Sequence, residues 1–234
     1  MSFMWILIGM ALGSFLNGLA FRASGNRPLF ASRSTCSACG KKIAWHDLIP
    51  AISWLILRGK CRYCERKIPV KYFLVELFVG VFSYYFFKDL TVTLVVLVQY
   101  VLILSFLLNV LTDSTNFTVY DPFLYFMVFC SMVYVLLKGE FITGVMSGII
   151  VVIFIAIVAY LVGVIVKKQA MGSGDYFVFF VLGMTLSPTK LLNLILFASL
   201  IGIVVSLVLK KNRLPFFPLL FSGYLFVLFG GALL

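Results

Sequence analysis

The sequence predicts an all-α polytopic membrane protein of about eight transmembrane helices, interrupted by one small polar insertion. Three observations carry that reading. Hydrophobic residues make up 63% of the 234-residue chain and charged residues only 12%, whereas soluble domains have about 45–50% apolar and about 25% charged residues. Apolar runs recur along the chain at lengths that suit a hydrocarbon core about 30 Å thick. The basic residues and four of the five cysteines crowd into one segment, 22–71. So few charges cannot build a water-facing surface, which excludes a soluble globular protein, a disordered chain and a disulfide-rich secreted miniprotein.

Taken in order, the apolar runs cover residues 3–21, 72–87, 90–112, 121–137, 141–166, 176–188, 191–209 and 214–234. The first has no basic region before it and positive charge after it, so it reads as a retained helix rather than a secretory signal. The sixth is short, contains glycine and ends at Ser187-Pro188. That is the pattern of a tilted, broken or shielded span. Cys130, alone in an apolar run, reads as a packing residue. No internal repeat stands out.

The net charge of +11 raises the question of nucleic acid, and the placement of the charges answers it. Eleven of the 19 Lys and Arg lie between Arg22 and Lys71, in a stretch with no helical pattern suited to a groove. If 22–71 is cytoplasmic, alternating spans put 113–120, 167–175 and 210–213 on the same side, which then holds 16 of the 19 basic residues. Only Lys88, Lys138 and Lys190 remain opposite. The bias obeys the positive-inside rule, so the partner is a lipid bilayer and no nucleic acid is expected. Both termini then face away from the cytoplasm. The organisation read this way is a first transmembrane helix (1–21), a cytoplasmic four-cysteine segment (22–71) and a seven-helix membrane core (72–234).

Cys36-Ser-Ala-Cys39 and Cys61-Arg-Tyr-Cys64 are two CxxC knuckles 21 residues apart, close to the spacing of two-knuckle zinc sites. Two residues between cysteines let both thiolates of a tight turn reach one ion, and two such turns complete a tetrahedron. Lys41, Lys42, Lys60 and Arg62 offset the excess negative charge of four thiolates. A segment of this size also needs a staple to hold a fold. Two disulfides or a redox pair are the alternatives; a reducing compartment disfavours the first, and no βαβ pattern accompanies the second. Four thiolates leave no open position on the ion, so the expectation is a structural, zinc-ribbon-like module. His46, the only histidine, lies between Trp45 and Asp47 and is given no catalytic role.

Of the eight acidic residues, those near membrane depth each require a reason. Asp89 and Glu140 are expected to pair with Lys88 and Lys138. Glu76, one turn inside the second span, is expected to anchor a helix contact or a basic partner. Asp113 closes the third span in Asn-Val-Leu-Thr-Asp, and Asp175 opens the sixth in Met-Gly-Ser-Gly-Asp-Tyr. On the topology above both reach the cytoplasmic edge. Gly172 and Gly174 lack Cβ atoms, so a substrate strand can approach closely there. Two facing carboxylates can share a proton and split into a base and an acid, which supports attack of water on a peptide carbonyl without metal. The plainer reading of Asp175 is an ion pair with Lys167 or Lys168, or a helix N-cap.

Together these residues resemble the type IV prepilin leader peptidase family, bifunctional aspartyl peptidases and N-methyltransferases of bacterial inner membranes. Gly13-Ser14-Phe15-Leu16-Asn17 followed by Arg22 is similar to that family's opening motif. The stretch from Cys36 to Leu77 matches most closely, through both knuckles, Trp45, Asp47-Leu48-Ile49-Pro50, Ser53-Trp54-Leu55 and Val75-Glu76-Leu77. Asp113, followed eight residues later by Asp121, resembles the family's D…PD spacing, and Gly172-Ser173-Gly174-Asp175 its GxGD motif. The resemblance implies Asp113 and Asp175 as the catalytic pair, with Gly172, Gly174 and Asp121 as supporting motif positions. It implies a 72–234 peptidase core and prepilin or pseudopilin substrates cut after Gly. It also implies S-adenosylmethionine as donor for N-methylation of the new terminus; its binding residues are not specified. Three positions depart from the family pattern: Thr115 replaces a second acid, Tyr120 replaces the proline before Asp121, and Phe177 replaces a lysine after GxGD. Rival readings are a transporter with proton-relay aspartates and a zinc-stabilised regulatory loop, which would normally show repeats with matching broken helices, and a membrane-anchored zinc module without a reaction.

Overall fold

The computed structural model describes residues 2–25, 28–29, 34–36, 38–89, 91–167, 171–210 and 214–230. Lys168 and the run Lys211-Asn212-Arg213 lie outside them. Among the described residues the regular elements are helices, with no strand, and the chain forms two compact units, Met1–Val92 and Thr93–Leu234.

The first unit contains α1 (Ser2–Ser24), a 3₁₀ turn (Trp45–Leu48), α2 (Ile52–Ile56) and α3 (Val70–Phe87). Helices α1 and α3 pack through small residues, which let membrane helices approach where no hydrophobic effect separates protein from lipid. A Cβ on Gly13 would lie 3.0 Å from Glu76 Cα, and one on Gly80 3.1 Å from the Ile6 carbonyl oxygen. Asn17, buried in α1, donates from Nδ2 to the Tyr72 carbonyl at 3.0 Å. Trp5 stacks on Phe87 with centroids 4.1 Å apart.

The second unit contains α4 (Leu94–Asn116), α5 (Asp121–Leu137), α6 (Phe141–Val166), α7 (Ser173–Thr185), α8 (Pro188–Leu209) and α9 (Phe216–Gly230). Thr93 caps α4, its hydroxyl accepting the Val96 N–H, and left-handed Phe117 ends it. Helix α4 packs against α5 and α9, α7 against α5 and α6, and α8 against α9. Phe106 of α4 meets Phe221 and Tyr224 of α9 edge-on at 5.3 and 5.9 Å. At the α6–α7 contact, a Cβ on Gly183 would lie 3.0 Å from Gly148 Cα. The rest of α6 turns apolar side chains outward, as a lipid-facing helix does.

The eight apolar runs thus correspond to eight helices, α1 and α3 to α9. Among the described residues five are long and apolar enough to cross a bilayer: Phe3–Ser24, Val70–Phe87, Leu94–Thr115, Phe141–Val166 and Pro188–Leu209. The protein is a multi-pass membrane protein. Two boundaries differ from the sequence reading in ways that matter. Helix α4 runs on to Asn116, which puts Asp113 inside its last turn. The sixth helix spans Ser173–Thr185 rather than 176–188, so Asp175 lies in its first turn, and extended Leu186 stops it before Pro188 opens α8. Thirteen residues rise only about 20 Å, less than a bilayer core.

Candidate active site and metal centre

Asp113 is buried on α4, and its Oδ2 accepts the backbone N–H of Phe217 at 3.0 Å; the Phe216 N–H points to the same carboxylate. These are first-turn amides of α9, which no intrahelical carbonyl satisfies. The N-terminus of one helix therefore holds the carboxylate of another, the arrangement by which helix N-termini bind anions. One turn earlier, fully buried Asn109 donates from Nδ2 to the Ser105 carbonyl at 2.9 Å and to the Phe123 carbonyl of α5 at 3.3 Å. Its Oδ1 has no partner among the described residues.

Asp175 is the third residue of α7, half-buried, and its Oδ2 accepts the Gly172 N–H at 3.1 Å. Gly172 itself is the N-cap, with an ordinary φ of −77°, so its role is not a left-handed turn. The carboxylate thereby ties down the start of its own helix. Among the described residues Asp175 makes no ion pair, with Lys167 or otherwise. The Asp113 carboxylate lies close enough for its charge to act on Asp175. Helix α5 packs against both α4 and α7. A Cβ on Gly174 would meet Leu124 of α5 at 3.4 Å, an ordinary contact. Asp121 is the exposed first residue of α5. The two carboxylates thus sit on separate helices, each accepting a backbone N–H of its own, Phe217 for Asp113 and Gly172 for Asp175.

The α9 amides and Asn109 were not identified from sequence. Phe217 is 104 residues from Asp113, and a backbone donor leaves no mark on composition. Asn109 did leave a signal, as a polar residue four positions before Asp113 in an apolar run.

In the first unit, the Sγ atoms of Cys36, Cys39, Cys61 and Cys64 lie within 4.8 Å of one another, with Cys36 and Cys64 at 3.8 Å. Tetrahedral Zn–S bonds of about 2.3 Å place sulfurs about 3.8 Å apart, so the four ligands fit such an ion. The knuckles share one conformation, a repeat the sequence did not reveal. Cys36 N–H donates to the Lys41 carbonyl and Cys61 N–H to the Arg66 carbonyl, at 2.9 and 3.0 Å. Isolated antiparallel bridges, Thr35 with Lys42 and Lys60 with Lys67, close each turn. The residue after the second cysteine is left-handed in both, Gly40 at φ +68° and Glu65 at φ +54°. The Cys39 and Ala38 N–H groups directed at Cys36 lower its thiol to about 6. At Cys64 the Arg66 N–H acts the same way, but burial and the neighbouring sulfurs push the thiol up to about 11.

Asp47 accepts a bidentate pair of hydrogen bonds from Arg62 at 2.8 and 2.6 Å, stitching the 3₁₀ turn to the second knuckle. His46 lies 3.6 Å from the same carboxylate. Trp54 of α2 stacks on Phe73 and donates to the Ile68 carbonyl. Its ring lies so close to Gly59 that a Cβ there would be 2.7 Å from Cζ2. Glu76 accepts the Ala51 N–H at 2.6 Å, the helix contact expected of it. Of the two expected ion pairs, Lys88–Asp89 is present at 3.5 Å. Lys138 instead lies over the Tyr134 ring, and Glu140, beyond left-handed Gly139, takes the N-cap position of α6 without a side-chain cap hydrogen bond.

Residues 7–90 match the bacterial peptidase A24 N-terminal domain, and residues 100–207 match the type IV leader peptidase family. A prepilin leader peptidase/N-methyltransferase of Myxococcus xanthus is 30% identical over 209 residues, covering 87% of this chain and 61% of the relative. The chain thus spans about three-fifths of that relative's length. A type 4 prepilin-like proteins leader peptide-processing enzyme of Escherichia coli O78:H11 is 29% identical over 92% of this chain and 88% of its own. A Vibrio cholerae prepilin leader peptidase/N-methyltransferase is 39% identical over 79 residues, 30% of this chain and 31% of the relative. No solved structure gives a significant match.

Proposed function

We propose, from the premise that this chain belongs to the type IV leader peptidase family, that it is a membrane aspartyl endopeptidase. Its substrates are prepilins or type II secretion pseudopilins, whose leaders it removes after Gly. What supports the reading is a pair of carboxylates on two different helices, Asp113 held by the Phe217 N–H and Asp175 by the Gly172 N–H, near enough for the charge of one to act on the other. One carboxylate takes a proton from water as the oxygen attacks the scissile carbonyl. The other gives its proton to the departing amine, and the shared proton is then restored. The first-turn amides of α9 hold Asp113 in place, and Gly172 holds Asp175.

The four cysteines would hold a structural zinc ion, which organises the segment between α1 and α3 and takes no part in cleavage. The new N-terminus is N-methylated by the same chain, with S-adenosylmethionine supplying the methyl group. The zinc segment and both aspartates face the cytoplasm from a bacterial inner membrane, as the basic-residue bias supports. Leader cleavage by the purified chain tests the reading. Mass spectrometry should detect loss of a leader ending in Gly from a prepilin substrate. Wild-type protein that leaves the substrate intact overturns it.

A further inference from the structure

Helix α2 meets α3 inside a span. Trp54 stacks on Phe73, and Glu76 accepts the Ala51 N–H at 2.6 Å. Phe73 and Glu76 are the fourth and seventh residues of α3, about 5 and 9 Å from its start. The 18 residues of α3 rise only about 27 Å, so a hydrocarbon core about 30 Å thick needs all of them. Helix α2 therefore lies at the level where headgroups give way to acyl chains.

Ile52, Leu55 and Ile56 have the i, i+3, i+4 spacing of one helix face, and they are 47%, 57% and 71% exposed. Trp54 is two positions from both Ile52 and Ile56, which on a helix is the opposite side. The apolar face thus looks away from α3. The Ser53, Leu55, Leu57 and Gly59 N–H groups each meet a nearby carbonyl, as a backbone leaving water requires. Exposed Arg58 and Lys60 follow α2 directly, and exposed Lys67 and Lys71 flank the start of α3. Among the described residues none of these four cations is in an ion pair. Residues 22–71 set eleven basic residues against only Asp47 and Glu65, and Arg62 already occupies Asp47.

An outward apolar face at that depth, followed by free cations, complements an anionic bilayer surface: the apolar side chains enter the acyl boundary, and the long basic side chains reach the phosphates. We infer that α2 is an interfacial helix that seats the four-cysteine segment on anionic lipid, through Ile52, Leu55 and Ile56 with Arg58 and Lys60. The inference does not rest on leader cleavage.

The test is amide hydrogen exchange of residues 51–59 in the full-length protein, in nanodiscs of phosphatidylcholine alone or mixed with phosphatidylglycerol. Exchange should be about tenfold or more slower in the anionic discs, since each nearby Lys or Arg strengthens binding to such a surface. Raised salt should remove the difference, and exchange of α6 should be the same in both lipids. Arg58→Gln with Lys60→Gln should abolish the lipid difference with metal content unchanged. Ile52→Ser with Ile56→Ser should speed exchange in both kinds of disc; if that pair unfolds the segment, seen as lost metal, the glutamine pair decides alone. Equal exchange of wild-type protein in the two lipids overturns the inference, as does a glutamine variant that keeps the difference. Protection that persists in detergent puts another part of the chain or a second copy over this face. Protection that appears only with added prepilin makes it a substrate surface, and both results count against lipid. Leader cleavage in the same discs bears on the proposed function alone.

Discussion

Asp113 and Asp175 differ in how they are held, and the difference bears on what substitution does. Asn at either position keeps the shape and the oxygen that accepts the backbone N–H, from Phe217 or Gly172. It cannot share a proton. Asp113→Asn and Asp175→Asn should therefore each lower leader cleavage about 10²–10⁴-fold, the usual contribution of a general acid or base, with membrane insertion unchanged. Asp121→Asn should retain appreciable cleavage, because Asp121 is exposed at the start of α5. Product mass after incubation with a prepilin reads all three variants, and full activity in either dyad variant would sink the assignment. Acid position was legible in the sequence, because a carboxylate at membrane depth is conspicuous against 63% hydrophobic residues. The α9 amides were not, since a donor common to every residue acquires meaning only when the fold brings it to a particular oxygen.

At the scale of elements, helix existence followed from hydropathy, whereas helix ends and contacts depended on local donors and on glycines. Helix α7 starts three residues earlier than its apolar run because Gly172 and the Asp175 side chain supply the cap. Glycine contacts predict unequal costs along the same helices. A Cβ on Gly148 would lie 2.9 Å from the Phe180 carbonyl oxygen, a backbone atom that cannot swing aside. Gly148→Ala should lower stability by about 1–3 kcal/mol. Gly174→Ala places its methyl 3.4 Å from a Leu124 side-chain carbon and should stay within about 0.5 kcal/mol of wild type. Thermal unfolding in one detergent compares the two. The knuckles make a second prediction. About one zinc per chain should copurify, Cys36→Ser with Cys61→Ser should remove it, and Cys130→Ser should not. Protons compete with zinc for thiolates. Acidification should release the metal before it breaks the Asp47–Arg62 pair. Arg62 holds the Asp47 carboxyl below its ordinary value, so that pair contributes stability above about pH 3.9 and loses it as pH falls through the lower folded value. Zinc content and the fluorescence of Trp45 and Trp54, followed from pH 7 downward, should change together well above pH 4. The cysteine spacing made the ligand set legible. The matching backbone of the two knuckles was not, because Gly40 and Glu65 share a conformation and no chemistry.

At the scale of the whole molecule, the proposed reactions divide between the two compact units. The dyad, its α9 amides and the glycines of α7 all belong to Thr93–Leu234; the four cysteines, Asp47, Arg62 and Glu76 all belong to Met1–Val92. On the proposed mechanism, peptide hydrolysis needs two carboxylates and a water from solvent, and the second unit supplies both carboxylates. Methyl transfer needs the amine aimed at its donor, and such positioning is easily lost when one wall of a site moves, since proximity supplies much of the rate. We propose that the zinc segment supports that wall, in the first unit. Its α2 begins at its N-cap, Ala51, whose N–H Glu76 accepts, and Trp54 of α2 packs on Phe73 of α3. Loosening the knuckles should disorder α2 and its grip on α3 without touching any bond to Asp113 or Asp175. Zinc removal by a membrane-permeant chelator, or by Cys36→Ser with Cys61→Ser, should thus reduce methylation at least about tenfold more than cleavage, if positioning is worth even a small part of its usual several kcal/mol. Mass spectrometry separates the two on one product: cleavage removes the leader, and methylation then adds about 14 Da, the mass of one CH₂ unit on the amine that proximity must aim. Equal loss of both reactions would refute this division of labour, and wild-type protein that cleaves but never adds the CH₂ unit would remove the transferase while leaving the peptidase.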